Sequence, residues 1–292
     1  MSRVFIVFNP NAGRGRSPLI AADISRLLEE RGVASKRLTI AQYLGAPTTS
    51  DCDCVCALGG DGTVRAIVDA FAREHAERSP PVAVVALGTA NLISKHLGLP
   101  WSAQRGLDLL VRAIIGRKTR SMDIPTANGS PFLIMCSSGF DARVVHELAA
   151  HRTGPITKLN YLPALARSWL GFSGDAVEVL ADGKQLFGPE PALVVVANAP
   201  EYGTGFTLNP NATSNDGMLD LTIFSMQERK HLVSTAWAAV TKTVGKAAAL
   251  MTTAKSIEIR GDSPAQIDGE AFGRTPIQIA LLPFQQRFIV PE

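Results

Sequence analysis

Leu58-Gly59-Gly60-Asp61-Gly62-Thr63 follows a short apolar run and precedes a helical pattern, and its reading decides the fold. Glycines at a strand-to-helix turn let backbone N–H groups approach phosphate oxygens closely, and the helix behind them offers its positive end. The Thr63 hydroxyl can donate a further hydrogen bond. The pattern points first to phosphoryl transfer.

Working outward, the chain opens with an apolar strand (Val4 to Phe8), a glycine-rich turn (Asn9 to Gly15) and a helix from Pro18 to Arg31. A strand at Ser35 to Ile40 and another ending at Ala57 lead to the Gly59 turn, whose helix runs to Glu77. A strand at Val82 to Ala86 and helical patterns at Ala90 to Leu97 and Ala103 to Gly116 follow. Strands alternating with helices predict a doubly wound parallel sheet covered on both faces, an α/β nucleotide-binding domain. Such sheets bind ligands at the carboxyl ends of their strands, where Asn9, Gly59 and Gly88 all fall. Taken alone, Gly88-Thr89-Ala90-Asn91 reads as a helix start with Thr89 as its cap.

After residue 120 short strands with turn signals take over: Phe132 to Cys136, Ala176 to Leu180, Leu193 to Ala197, Leu219 to Phe224, Ser256 to Arg260 and Ile277 to Leu282. They predict an antiparallel β-sandwich domain. Two helical segments interrupt it, Ala142 to Phe172 and Gln227 to Thr253. With 292 residues the chain divides into 1–120 and 121–292, the last strand returning to the first domain, and the active cleft is expected between the two.

The chain is 46% hydrophobic and 19% charged, and no uncharged apolar stretch is long enough to span a bilayer. The apolar run after Met1-Ser2-Arg3 ends at Asn9-Pro10, too early for a secretory core, so a cytoplasmic protein is expected. A net charge of +3 gives no ground for a nucleic-acid partner. Cys52, Cys54 and Cys56 alternate along a strand pattern but lack the two-residue turn of metal-ligand pairs, and Cys136 lies in another apolar run, so all four read as buried small hydrophobes. His96 and His231 show no triad or ligand spacing and read as surface or capping residues.

Six motifs in order make the chain resemble the diacylglycerol kinase catalytic family, which holds bacterial lipid kinases and, more distantly, sphingosine and ceramide kinases. They are Asn9-Pro10-Asn11-Ala12-Gly13, the Gly59 to Thr63 signature, Gly88 to Asn91, Gly139-Phe140-Asp141-Ala142, Asp216-Gly217-Met218-Leu219-Asp220 and Asp268-Gly269-Glu270. The resemblance implies ATP contacts at Asn9, Pro10, Asn11, Ala12 and Gly13, at Gly59, Gly60, Asp61, Gly62, Thr63, Val64 and Arg65, and at Gly88, Thr89 and Asn91. Thr39 and Thr89 enter as hydroxyl contacts by position. It implies that Asp268 or Glu270 accepts the proton of the lipid hydroxyl or orients it, a choice the residues leave open, since Asp-Gly is also a common hairpin corner. Asp61 is the other candidate base, or a partner of Mg²⁺ through water, and Asp123 joins it. Asp216, with backbone carbonyls near Thr213 and Met218, is implied to hold a structural Mg²⁺ or Ca²⁺, against the alternative of a plain Asn215-Asp216-Gly217 turn.

Three positions depart from the family pattern. Arg65 stands where Asn is usual, Leu92 stands where diacylglycerol-specific members carry Asp, and Ser138 precedes Gly139. Leu cannot ligate, so Leu92 moves weight towards long-chain-base or ceramide substrates. The expected activity is ATP-dependent phosphorylation of the primary hydroxyl of a membrane lipid, diacylglycerol or a sphingoid base or ceramide. A soluble kinase related to NAD kinase or phosphofructokinase and an inactive nucleotide-binding homologue are the alternatives. Such an enzyme is expected at the inner face of the membrane as a peripheral protein, with a homodimer left open. The segment His151 to Phe172 places Ile156, Leu159, Leu162, Leu165, Trp169 and Leu170 at helical spacing among basic residues, a pattern for a membrane surface or for a core.

Overall fold

The computed structural model describes residues 3–45, 51–74, 79–103, 105–151, 161–172, 174–203 and 207–292. It divides into two compact units, residues 1–123 with 283–292, and residues 124–282. The first unit holds β1 (Arg3–Phe8), α1 (Ser17–Glu29), β2 (Ala34–Thr39), α2 (Ile40–Gly45), β3 (Cys54–Gly59), α3 (Asp61–Arg73), β4 (Val82–Ala86), α4 (Leu92–His96), α5 (Leu107–Gly116) and the start of β5 (Thr119–Ala127). Then come β6 (Ser130–Pro131), β7 (Met135–Ser138), α6 (Phe140–Ala150), α7 (Tyr161–Leu170), β8 (Ala176–Ala181), β9 (Lys184–Ala197) and β10 (Leu219–Ser225). The chain continues through α8 (Arg229–Thr241), α9 (Val244–Ala247), β11 (Leu250–Ala254), β12 (Ser256–Gly261), β13 (Pro264–Ile267), β14 (Glu270–Arg274) and β15 (Ile277–Ile289).

In the first unit β2, β1, β3, β4 and the end of β15 run parallel in that order. Alternate strand residues Val4, Ile6, Cys54, Cys56, Leu58, Ala83 and Val85 face Ile20, Ile24 and Leu28 of α1 and Leu110, Val111 and Ile114 of α5. The intervening residues are buried too, and α3 contributes Val64, Ile67, Val68 and Phe71 to the interior. This is why the strands read as continuous apolar runs. Cys54 and Cys56 are core residues, and burial pushes the Cys54 thiol up to about 12. The returning segment is held by Gln286, which accepts from the Ser79 hydroxyl at 2.9 Å and donates to the Pro80 carbonyl at 3.0 Å.

In the second unit β9 bends between two antiparallel layers. Its first half pairs β8, which continues to β12 and β15, while its second half lies between β7 and β10. Inward residues of both layers form one core, among them Val177, Val179, Val194, Val196, Leu221, Ile223, Ile257, Ile259 and Ile279.

Several expectations are corrected. The predicted strand Phe132 to Cys136 begins only at Met135, because the amides of Leu133, Ile134 and Met135 are taken by a side chain described below. The helical reading of Gln227 to Thr253 ends early: Leu250–Ala254 is β11, whose β-branched residues pair with β10. The segment Ala142 to Phe172 is two helices, α6 and α7, and residues 152–160, including Ile156 and Leu159, lie outside the described residues. β5, β13, β14 and α2 carry too little periodicity to be read in advance. Among the described residues no helix is long and apolar enough to cross a membrane.

Phe288 is fully buried and pairs in register with Val82. Phe288→Ala is expected to cost about 3–5 kcal/mol in denaturant unfolding. A loss below about 1 kcal/mol would show that the return of β15 does not support the first unit.

Candidate active site

Three loops leave adjacent strands at the carboxyl edge of the parallel sheet. The Asn9 amide donates to the Leu58 carbonyl at 3.1 Å, and the Leu87 amide to the Gly59 carbonyl at 2.8 Å, which ties the loops after β1 and β4 to the end of β3. Within the first loop the Asn9 side chain accepts from the Asn11 amide at 3.1 Å and the Asn9 carbonyl from the Ala12 amide at 2.9 Å, an Asx-type turn. Gly60 and Gly88 touch at their backbones. A Cβ on Gly88 would lie 2.7 Å from the Gly60 Cα, closer than real contacts allow.

The third loop is braced by Asn91, whose amide group accepts from the Gly88 N–H at 2.8 Å and donates to the Gly88 carbonyl at 2.9 Å. The cap of α4 is supplied from outside. Asp61 accepts from the Leu92 and Ile93 amides at 3.0 and 3.1 Å, one per oxygen, so Asp61, not Thr89, caps this helix. Each Asp61 oxygen retains a second lone pair for water. The Leu92 side chain is buried and faces the core.

Other nucleotide candidates are placed differently. Thr63 and Val64 are buried, and the Thr63 side chain packs against Gly59 in the space that a Cβ there would fill. Thr39, beside Phe8 in register, caps α2: its hydroxyl donates to the Gln42 side chain at 3.1 Å and accepts from the Gln42 amide at 3.2 Å. Pro10 and Gly13 lie in the first loop, Gly62 and Arg65 in the opening turns of α3, and Thr89 is exposed. Asp123 is buried on β5 and accepts from the Gln285 amide group at 2.8 Å. Beside Asn91 opens a groove of about 290 Å³ that carries the cations of Lys95 and Arg105.

In the second unit Asp268 and Gly269 form a two-residue hairpin turn between β13 and β14, with φ of 50° and 83°. The Asp268 carboxylate accepts from the amides of Leu133 (2.8 Å), Ile134 (2.8 Å) and Met135 (3.1 Å). Asp268 thus ties its hairpin turn to the segment that leads into β7. Glu270 follows it, exposed, at the first position of β14.

The turn is supported by residues that sequence reasoning did not select. Gln266 accepts from the Gly269 amide at 2.7 Å and donates to the Ser137 hydroxyl at 2.6 Å. Ser137 and Tyr202 both donate to Asp141, Tyr202 at 2.8 Å. Burial pushes the Asp141 carboxyl above its ordinary value, and those two hydroxyls, the Ala142 amide and Gln266 oppose the shift. The available signal was the motif Gly139 to Ala142, which had no assigned role.

A third carboxylate group lies at residues 213–220. Asp216 accepts from the Met218 amide at 3.0 Å, the expected turn. Asp220 is buried beside it, and its Oδ2 has no hydrogen-bond partner among the described residues. Burial raises the Asp220 carboxyl, the Thr213 backbone opposes this and the Asp216 charge adds to it. An orphaned carboxylate oxygen beside a second carboxylate is a donor set that fits a hard divalent cation. Asp220 was quoted in a motif but not selected as a ligand. Among the described residues no group of three or more His, Cys, Asp or Glu is clustered for a metal. His231 is the capping residue expected: its Nδ1 accepts from the Glu228 amide at 3.1 Å at the start of α8.

The diacylglycerol kinase catalytic domain model matches residues 3–127, and the model of the YegS C-terminal NAD kinase beta sandwich-like domain matches residues 134–290. A protein named "Probable lipid kinase YegS-like" from Enterobacter sp. (strain 638) is 31% identical over 68% of this chain, which spans 64% of that relative's length. One of the same name from Pectobacterium atrosepticum is 30% identical over 79% of this chain and 76% of its own. The "Diacylglycerol kinase" of Bacillus subtilis (strain 168) is 25% identical over 100% of this chain and 97% of its own. A solved structure of a diacylglycerol kinase from Bacillus anthracis str. Sterne has a TM-score of 0.70 at 25% identity, covering 99% of this chain and 97% of that chain.

Two outcomes check this geometry. Gly88→Ala is expected to cost about 1–3 kcal/mol of stability, because two backbones must separate; an unchanged denaturant midpoint would remove the constraint. The raised Asp141 carboxyl means that the native state holds a proton the unfolded chain releases, so stability falls as pH rises from near 3.8 through the raised native value. Measured against Asp141→Asn across pH, the wild type should lose relative stability over that window and level off above it. A pH-independent difference contradicts the burial argument.

Proposed function

This chain belongs to the diacylglycerol kinase family, and from that premise we propose that it is an ATP-dependent lipid kinase acting on the primary hydroxyl of a membrane lipid. The observation that carries the reading is the division of labour in the Asp268 turn. Asp268 is held by three amides, and the adjoining Glu270 is left exposed on a fixed hairpin. In the step proposed, the lipid hydroxyl oxygen bonds to the γ-phosphorus of ATP as the bond from that phosphorus to the ADP oxygen breaks, and Glu270 takes the hydroxyl proton. The loops at Asn9, Gly59 and Gly88 offer backbone N–H groups to the phosphates, with the start of α3 behind them.

Mg²⁺ bound with ATP neutralises phosphate charge during transfer. Asp61 and Asp123 are the carboxylates offered to it through water, and Asp216, Asp220 and the backbone of Thr213 and Met218 would hold a structural divalent ion. Leu92 favours a sphingoid base or ceramide over diacylglycerol, because the carboxylate of the diacylglycerol pattern is replaced by a buried apolar group. Exposed Leu162, Leu165 and Leu170 on α7, beside Arg167, support peripheral contact with the inner face of the membrane.

Radiolabelled ATP supplied with sphingosine, ceramide, diacylglycerol or NAD tests the assignment. Label is expected in a lipid and absent from NAD; labelled NAD alone would sink the reading. Glu270→Gln is expected to lower turnover by roughly 10²–10⁴-fold with an unchanged unfolding midpoint. Asp268→Asn should lower stability by about 1–3 kcal/mol as well as activity, since three buried amides lose a charged acceptor. The reverse pattern would exchange their roles.

A further inference from the structure

The helix α8 buries Leu232, Thr235 and Ala238 on one side. At 100° per residue, Val233, Trp237 and Val240 fall on a stripe centred roughly 170° away around the same helix. They are 58%, 69% and 60% exposed. A helix that only packed against its own unit would carry polar residues there. Instead it presents two valines and a tryptophan to the outside, and this doubled apolar character hides the stripe from periodicity.

The charges carried by α8 and the chain that follows it have one sign. From Arg229 to Lys255 the chain contains Arg229, Lys230, Lys242, Lys246 and Lys255 and no Asp or Glu. Lys230 pairs with Glu228 at 2.8 Å, and Arg229 donates to the Leu170 carbonyl at 3.2 Å. Lys242 and Lys246, just past the apolar stripe, are exposed and have no acidic partner among the described residues. The Arg229 bond joins the start of α8 to the end of α7, where Leu170 is 74% exposed.

We propose that the outer face of α8, Val233, Trp237 and Val240 with Lys242 and Lys246, is a docking surface for an anionic lipid bilayer. The side chains match the layers of such a surface: valines reach the acyl boundary, the indole sits at the headgroup level with its N–H in polar surroundings, and the ammonium groups meet lipid phosphates. A second copy of this chain fits less well. A two-fold interface sets a patch against itself, and here it would bring like-charged lysines together. The proposal deepens the lipid-kinase reading and rests on it for its purpose, but binding to vesicles is measured without turnover, so the two fail separately.

The full chain is sedimented with phosphatidylcholine vesicles, with and without phosphatidylglycerol. Binding is expected to require phosphatidylglycerol and to weaken as salt rises. V233S/W237S/V240S and K242E/K246E should each weaken binding at least about 10-fold while leaving phosphorylation of a detergent-dispersed short-chain lipid within about 2-fold of wild type. Bromine-labelled lipid should quench tryptophan emission in the wild type and much less in W237F. If both variants bind vesicles as tightly as wild type, the surface is overturned. It is also overturned if the apolar triple variant changes a dimer into a monomer in the absence of vesicles, which would assign the face to a second copy. Loss of vesicle binding by the variants of a chain that phosphorylates no lipid would keep the surface and reject the kinase reading.

Discussion

The contact between Gly60 and Gly88 is the constraint on which the nucleotide side of this protein depends. β1, β3 and β4 are neighbours in a parallel sheet, so their loops emerge a strand spacing apart. With that little room, a Cβ on Gly88 would run into the Gly60 backbone, and one on Gly60 would press on Gly88 at 3.2 Å. Their closeness lets the Leu87 amide reach the Gly59 carbonyl and lets Asp61 reach across to the first amides of α4. The glycines thus do two jobs. They leave backbone N–H groups accessible for an anion, and they permit the approach that makes the loops one framework.

The second unit shows how surroundings give different roles to the same side-chain chemistry. Asp268 is saturated by three amides and fixes a hairpin turn. Asp141 is buried among Ser137, Tyr202 and Gln266, and through Gln266 it adjoins that same turn. Asp220 keeps one oxygen without a hydrogen-bond donor among the described residues, beside Asp216. Glu270 is the carboxylate placed outside on the fixed hairpin. A carboxylate on a turn whose supports are themselves held is the arrangement that the proposed proton acceptor requires.

A kinase for a membrane lipid has to meet both a soluble nucleotide and an acceptor confined to a surface. Under the proposed function the loops of the first unit would meet the first need, and the exposed apolar and basic residues of α7 and α8 the second. Leu92 serves two ends: its amide donates to Asp61, while its side chain fills the core.

Apart from α2 and β5, the sequence by itself determined the strand and helix order of the first unit, the three loops at one sheet edge and the antiparallel texture of the second unit. Those features rest on local periodicity and on glycine's freedom at turns, which act within a few residues of each position. It misplaced β7 and β11 and the cap of α4, and it left Asp268 and Glu270 equivalent. In each case the deciding partner is distant in the chain: Asp268 for residues 133–135, β10 for β11, Asp61 for Leu92 and Ile93. Only the tertiary structure decided that Asp268 is held by three backbone amides while Glu270 is exposed, and which side of α8 is covered, because hydrogen bonding and burial belong to the folded chain's neighbours and leave no period in the sequence.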